Sequence, residues 1–88
     1  MAATASRPLR LTLLVRAYCH LCEEMRAALA PLAAAQGCAV DEIDVDADPA
    51  LEARWGECVP VLLAGERELC HVRFDRAAFA AFFVAPGR

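Results

Sequence analysis

The amino-acid sequence predicts a single α/β domain spanning residues 1–88: a four-stranded mixed sheet with helices on both faces, in the order β-α-β-α-β-β-α. Three observations predict it. The apolar run Leu9 to Val15 carries leucine on both faces of an extended chain, as a strand covered on both sides does. A second apolar run, Val59 to Leu63, is followed by Ala64-Gly65-Glu66-Arg67 and a return segment from Glu68 to Val72, the pattern of an antiparallel hairpin. Between the first strands lie stretches of helical periodicity, so those strands are joined by crossovers and a parallel pair follows. Linking helices then cover both faces of one sheet.

Each element has its own local cause. After the first strand, Leu21, Met25, Leu29, Leu32 and Ala33 recur at spacings of three and four, which gives one apolar helical stripe to about Gln36. Gly37 is a natural stop, and Pro31 is expected to kink or restart the helix. In the second strand, Ala39 to Val45, Ile43 and Val45 should face one way and Glu42, Asp44 and Asp46 the other. Asp48-Pro49 is an N-cap followed by proline at the first helical position. Leu51 and Trp55 share a face of that short helix, which Gly56 closes. Asp75 caps a final helix with Phe79, Phe82 and Phe83 on one side, and Phe74 is placed to staple against Phe79. Residues 1–8 are expected to form a flexible tail.

Composition excludes several function classes. The net charge is −3, there is no lysine, and the nine arginines are scattered, which is unsuited to neutralising phosphates. No run approaches the roughly 18 apolar residues that cross a bilayer, and the N-terminus lacks a signal core. These features point to a cytoplasmic protein that binds neither nucleic acid nor membrane; a monomer is expected, although the sequence itself leaves the oligomeric state open. Five unevenly spaced cysteines are a poor disulfide framework. The acidic stretch Asp44-x-Asp46-x-Asp48 is no calcium loop, because proline and tryptophan fall where glycine and glutamate are needed. Asp48 is instead a cap and the others a solvated strand edge.

The chemistry concentrates in Tyr18-Cys19-His20-Leu21-Cys22, directly between the first strand and the first helix. Unpaired N–H groups at a helix start carry partial positive charge and stabilise a thiolate, the form that attacks disulfides. Residues three apart share a helix face, so Cys22 can reach the sulfur of Cys19. Arg16 would favour the thiolate and bind a substrate carboxylate; a protonated His20 would also stabilise the thiolate. A zinc site on the same pair needs two further ligands from Cys58, Cys70, His20 and His71. Cys70 and His71 point to opposite faces of a strand, so no metal is expected. Cys38 and Cys70 are most simply small core residues.

These residues carry a resemblance. Cys19-His20-Leu21-Cys22 after strand one, Asp44-Val-Asp-Ala-Asp-Pro49, Trp55-Gly56 and Val59-Pro60-Val61 resemble thioredoxin-fold proteins of the glutaredoxin type. The likeness is greatest to small glutaredoxin-like bacterial proteins with a Cys-x-Leu-Cys motif, and it covers Leu9 to about Phe83. It implies a thiol–disulfide oxidoreductase with Cys19 as nucleophile and Cys22 as resolving thiol. It also implies a cis Val59–Pro60 bond beside the dithiol, with the Val59 backbone pairing an extended substrate. Arg16, Tyr18, His20 and Leu21 complete the substrate site by the same likeness. The partner would be a disulfide-containing protein or a glutathione mixed disulfide. No cofactor is required, with glutathione as a reductant or co-substrate. Two departures stand out: Cys58 replaces the threonine before Val-Pro, and Cys70-His71 stands where a Gly-Gly pair approaches glutathione. The alternative is a non-enzymatic binding module or redox sensor of the same fold, with a vestigial dithiol.

Overall fold

Leucine on both faces of one strand requires cover on both sides of the sheet, and the structure, a computed structural model describing residues 9–84, provides it. The elements in chain order are β1 (Arg10–Val15), α1 (His20–Ala35), β2 (Ala39–Asp44), a single 3-10 turn (Val45–Ala47), α2 (Pro49–Trp55), β3 (Val61–Ala64), β4 (Arg67–His71) and α3 (Arg76–Phe83). This is the expected β-α-β-α-β-β-α order. The expected tail, residues 1–8, lies outside the described residues. The sheet order is β2-β1-β3-β4. β1 runs parallel to β2, with Leu11 opposite Val40, and antiparallel to β3, with Leu13 opposite Leu62.

The two-residue period of β1 builds two cores. Leu11 and Leu13, with Leu62 of β3, face Met25, Leu29 and Ala33 of α1 and Phe79 of α3. Leu14, with Val61 and Leu63, faces Val45, Leu51 and Trp55 on the opposite side. At β4 a bulge lets Leu62 oppose Cys70 and Leu63 oppose Glu68. Consecutive residues Leu69 and Cys70 are thereby both buried in the first core.

Helix ends follow from single residues. Gly37 takes φ 70° after α1, and the N–H groups of Gly37 and Cys38 return to the carbonyls of Ala34 (3.1 Å) and Ala33 (2.9 Å). Asp48 accepts from the Ala50 N–H at 2.9 Å and Asp75 from the Ala78 N–H at 2.9 Å, so both act as the expected N-caps. Phe74 meets Phe79 with ring centroids 5.7 Å apart, which closes the staple.

Two local expectations are corrected. Pro31 does not restart the helix: α1 is continuous through it. The carbonyl of Ala27 loses its helical donor, but Ala27 and Pro31 are both exposed and water can serve there. The second strand stops at Asp44, because the Asp44 side chain accepts from the Asp46 N–H at 2.8 Å and turns the chain into the 3-10 segment. Val45 therefore reaches the core while Ile43, on an edge strand, stays partly exposed. Gly56 closes α2 as expected, with a right-handed φ of −54°. An added Cβ would lie 2.5 Å from the Glu52 carbonyl oxygen, so glycine is needed there for space.

Candidate functional site

The dithiol is built by the junction of β1 and α1. Tyr18 turns the chain with a left-handed φ of 57°, uncommon for a residue with a side chain. Cys19 is extended (φ −110°, ψ 104°) and is the N-cap of α1. Its Sγ accepts a hydrogen bond from the Cys22 N–H at 3.1 Å. A sulfur thus takes the place that a serine or aspartate oxygen usually holds at a helix start. Cys19 and Cys22 are joined as a disulfide with Cα atoms 5.1 Å apart. Cys22 is 1% exposed and Cys19 only half-buried, so the outer sulfur is Cys19. The positive end of α1 points at that sulfur, an arrangement that favours negative charge there.

The Val59–Pro60 loop lies at the same end of the sheet. β3 is antiparallel to β1 and Val61 opposes Leu14, so the residues entering β3 neighbour those leaving β1. The Val59–Pro60 bond is cis. The carbonyls of Cys58 and Pro60 accept from the Val72 N–H at 3.2 and 2.8 Å. Among the described residues, the N–H and C=O of Val59 between them have no partner. Val72 itself adopts φ 65°, a conformation costly for a β-branched residue. The backbone after β4 that glycine would suit is therefore at Val72, further along than Cys70-His71.

The remaining candidates fall in different places. Tyr18 is fully exposed beside Cys19. His20 is exposed too, and its Nε2 lies 2.8 Å from Glu24 one turn along α1. Leu21 lines a cavity of about 240 Å³ between α1 (Glu24, Ala28) and the corner after β4 (Val72, Arg73, Phe74). Arg16 has other partners than those expected of it. Its Nη2 meets Asp46 at 3.0 Å and Glu52 at 2.8 Å, its Nε meets Asp46 at 3.1 Å, and its Nη1 donates to the Gly56 carbonyl at 3.1 Å. Hydrogen bonding to Asp46, then Glu52, raises the Arg16 pKa further. Asp46 is accordingly an ion-pair partner and not simply a solvated edge.

Sequence reasoning missed Asp46, Glu52, Gly56 and Val72. Asp46 carried a weak signal: in a parallel pair with Val15 opposite Asp44, the residue after Val15 lies near the turn after Asp44. Val72 carried none, since nothing in the sequence marks a valine as left-handed. Of the other cysteines, Cys70 is buried in the α1–α3 core and Cys58 packs on the α2 core, on opposite faces of the sheet. Burial pushes the Cys70 and Cys38 thiols up, which keeps them protonated and slow to react. Among the described residues, no group of three His, Cys, Asp or Glu is arranged to hold a metal ion, and no helix is long and apolar enough to cross a membrane.

A mixed four-stranded sheet flanked by three helices, with a Cys-x-x-Cys pair capping the first helix and a cis-proline loop beside it, defines a thioredoxin-like fold. The chain matches the family model described as glutaredoxin-like domain (DUF836) over residues 10–83, and it belongs to that family. Among solved structures it is similar to protein Ne2328 from Nitrosomonas europaea, at 33% identity and a TM-score of 0.77 over 86% of this chain and 92% of that one. Protein XcR50 from X. campestris is 40% identical with a TM-score of 0.63, over 86% of this chain and 99% of that one. A thioredoxin variant from Halobacterium salinarum is 26% identical with a TM-score of 0.55, over 92% of this chain and 74% of that one. None of the curated proteins matches this chain.

Proposed function

We propose that this protein is a cytoplasmic thiol–disulfide oxidoreductase that reduces disulfides in proteins or glutathione mixed disulfides. The observation that carries the proposal is Cys19 Sγ at the open end of α1, 3.1 Å from the Cys22 N–H, with Cys22 buried behind it. In the reduced protein the Cys19 thiolate attacks one sulfur of the substrate disulfide. A Cys19–substrate disulfide forms and the other substrate sulfur leaves as a thiolate. Cys22 then gives up its proton and attacks the Cys19 sulfur, releasing the second substrate thiolate. Two electrons pass from the protein to the substrate, and the protein is left with the Cys19–Cys22 disulfide. An external thiol, glutathione or a reductase dithiol, restores the pair. The unpaired Val59 backbone supports pairing with an extended substrate segment, a short β-augmentation beside Cys19. Tyr18, His20 and Leu21 would flank that segment. The protein acts as a monomer and needs no metal or organic cofactor.

Substituting Cys22 tests the sequence of steps. With a disulfide-linked peptide, Cys22→Ser should accumulate a mixed disulfide at Cys19, seen as a stable mass adduct. Wild type should release both thiols and finish as the internal disulfide. If neither protein reacts, the fold serves instead as a binding module with a vestigial dithiol.

A further inference from the structure

The expected roles of Arg16 are electrostatic: favouring the thiolate and holding a substrate carboxylate. Its surroundings do not suit either. One guanidinium faces two carboxylates, so the cluster of Arg16, Asp46 and Glu52 is net negative and offers the Cys19 thiolate little attraction. Four of its hydrogen-bond contacts go to those carboxylates, and Nη1 is spent on the Gly56 carbonyl.

We propose that Arg16 is a positioning residue: it fixes the Val59 backbone edge relative to Cys19. This rests on the oxidoreductase reading above. Arg16 lies three residues before Cys19, on the segment that delivers the nucleophile. Through Gly56 it grips the chain three residues before Val59. The span between is short and tied, since the Cys58 N–H donates to the Trp55 carbonyl at 2.7 Å. The far side of the same loop is tied by Val72, whose N–H reaches the carbonyls of Cys58 and Pro60. Val59 is thus held between two fastenings, one of which is anchored next to the dithiol. Gly56 has the space for this only as glycine, because a Cβ would strike Glu52, the carboxylate that Arg16 also holds. A substrate aligned along Val59 needs that register; a small disulfide with no backbone amides does not.

The test compares two substrates in single-turnover reactions of the reduced protein: a disulfide-linked peptide and bis(2-hydroxyethyl) disulfide. The informative variant is Arg16→Lys, which keeps the charge and loses the fork that meets three partners at once. The peptide rate constant should fall about tenfold or more, within the roughly hundredfold cost of ångström-scale misplacement. The rate with the small disulfide and the Cys19 thiolate titration should stay within about twofold and a few tenths of a pH unit of wild type. Asp46→Asn, which leaves Arg16 its Glu52 and Gly56 partners, should show a smaller loss of the same selectivity. Equal loss on both substrates, or no loss on either, would overturn the positioning role. So would a wild-type peptide rate in Arg16→Lys with a large fall in Arg16→Gln, which would assign the residue to its charge. Wild type inert toward both substrates would instead remove the oxidoreductase reading.

Discussion

Cys19→Ser is expected to abolish disulfide exchange, with a loss on the order of 10³-fold or more, the scale on which removing a nucleophile acts. The thiolate is the attacking species, and a serine hydroxyl at the same place neither ionises near neutral pH nor attacks sulfur. The substitution is also clean. Cys19 caps α1 through its Sγ, and serine is among the best N-cap residues, so the helix start keeps an acceptor for the Cys22 N–H. Loss of activity would then come with little change in thermal stability of the reduced proteins. Full reductase activity in Cys19→Ser, assayed by release of thiol from a disulfide-linked peptide, would show that the chemistry lies elsewhere.

The largest effect on stability is expected from Phe79→Ala. Phe79 is 3% exposed, sits in the core beneath β1 and β3, and meets Phe74 and Phe83 at centroid distances of 5.7 and 4.9 Å. Truncating such a ring costs about 3–5 kcal/mol through lost burial and the cavity left behind. A domain has only ~5–15 kcal/mol in total, so the variant should lose much of its stability. α3 is held to the sheet largely through this aromatic cluster, with the Phe74 staple as its entry point. Urea unfolding of the two proteins checks it: a midpoint unchanged within error would mean that α3 does not pack as described.

The fold was legible because its determinants are local and repeat along the chain. Leucine on both faces of β1, caps at Asp48 and Asp75, and the aromatic spacing from Phe74 to Phe83 each specify one thing, and all agree. The failures came where tertiary context overrides a local rule. Pro31 breaks helices in general, yet α1 runs on through it at an exposed position, where water can serve the orphaned carbonyl. Gly56 closes its helix as expected, but the reason that glycine is needed there, the approach of Glu52, belongs to the fold.

The dithiol was legible for the same reason as the caps: Cys-x-x-Cys between a strand and a helix is a local signal. The set of groups around it was not. Arg16 lies 30 residues from Asp46 and 36 from Glu52 along the chain, and their meeting depends on sheet register. Val72 owes its left-handed backbone to the corner between β4 and α3, where its N–H is drawn to two carbonyls of the neighbouring loop. Such contacts belong to the assembled fold and leave no periodicity in the sequence.

The most direct test of the central claim, that Cys19 and Cys22 form a working redox couple, is an equilibrium titration of the purified protein against glutathione buffers, with the oxidation state of the pair read by mass. The expected result is one reversible two-electron transition at roughly −270 to −200 mV, the range of thioredoxins and glutaredoxins. A pair that stays in one state throughout the titration, with neither thiol exchanging, would contradict it.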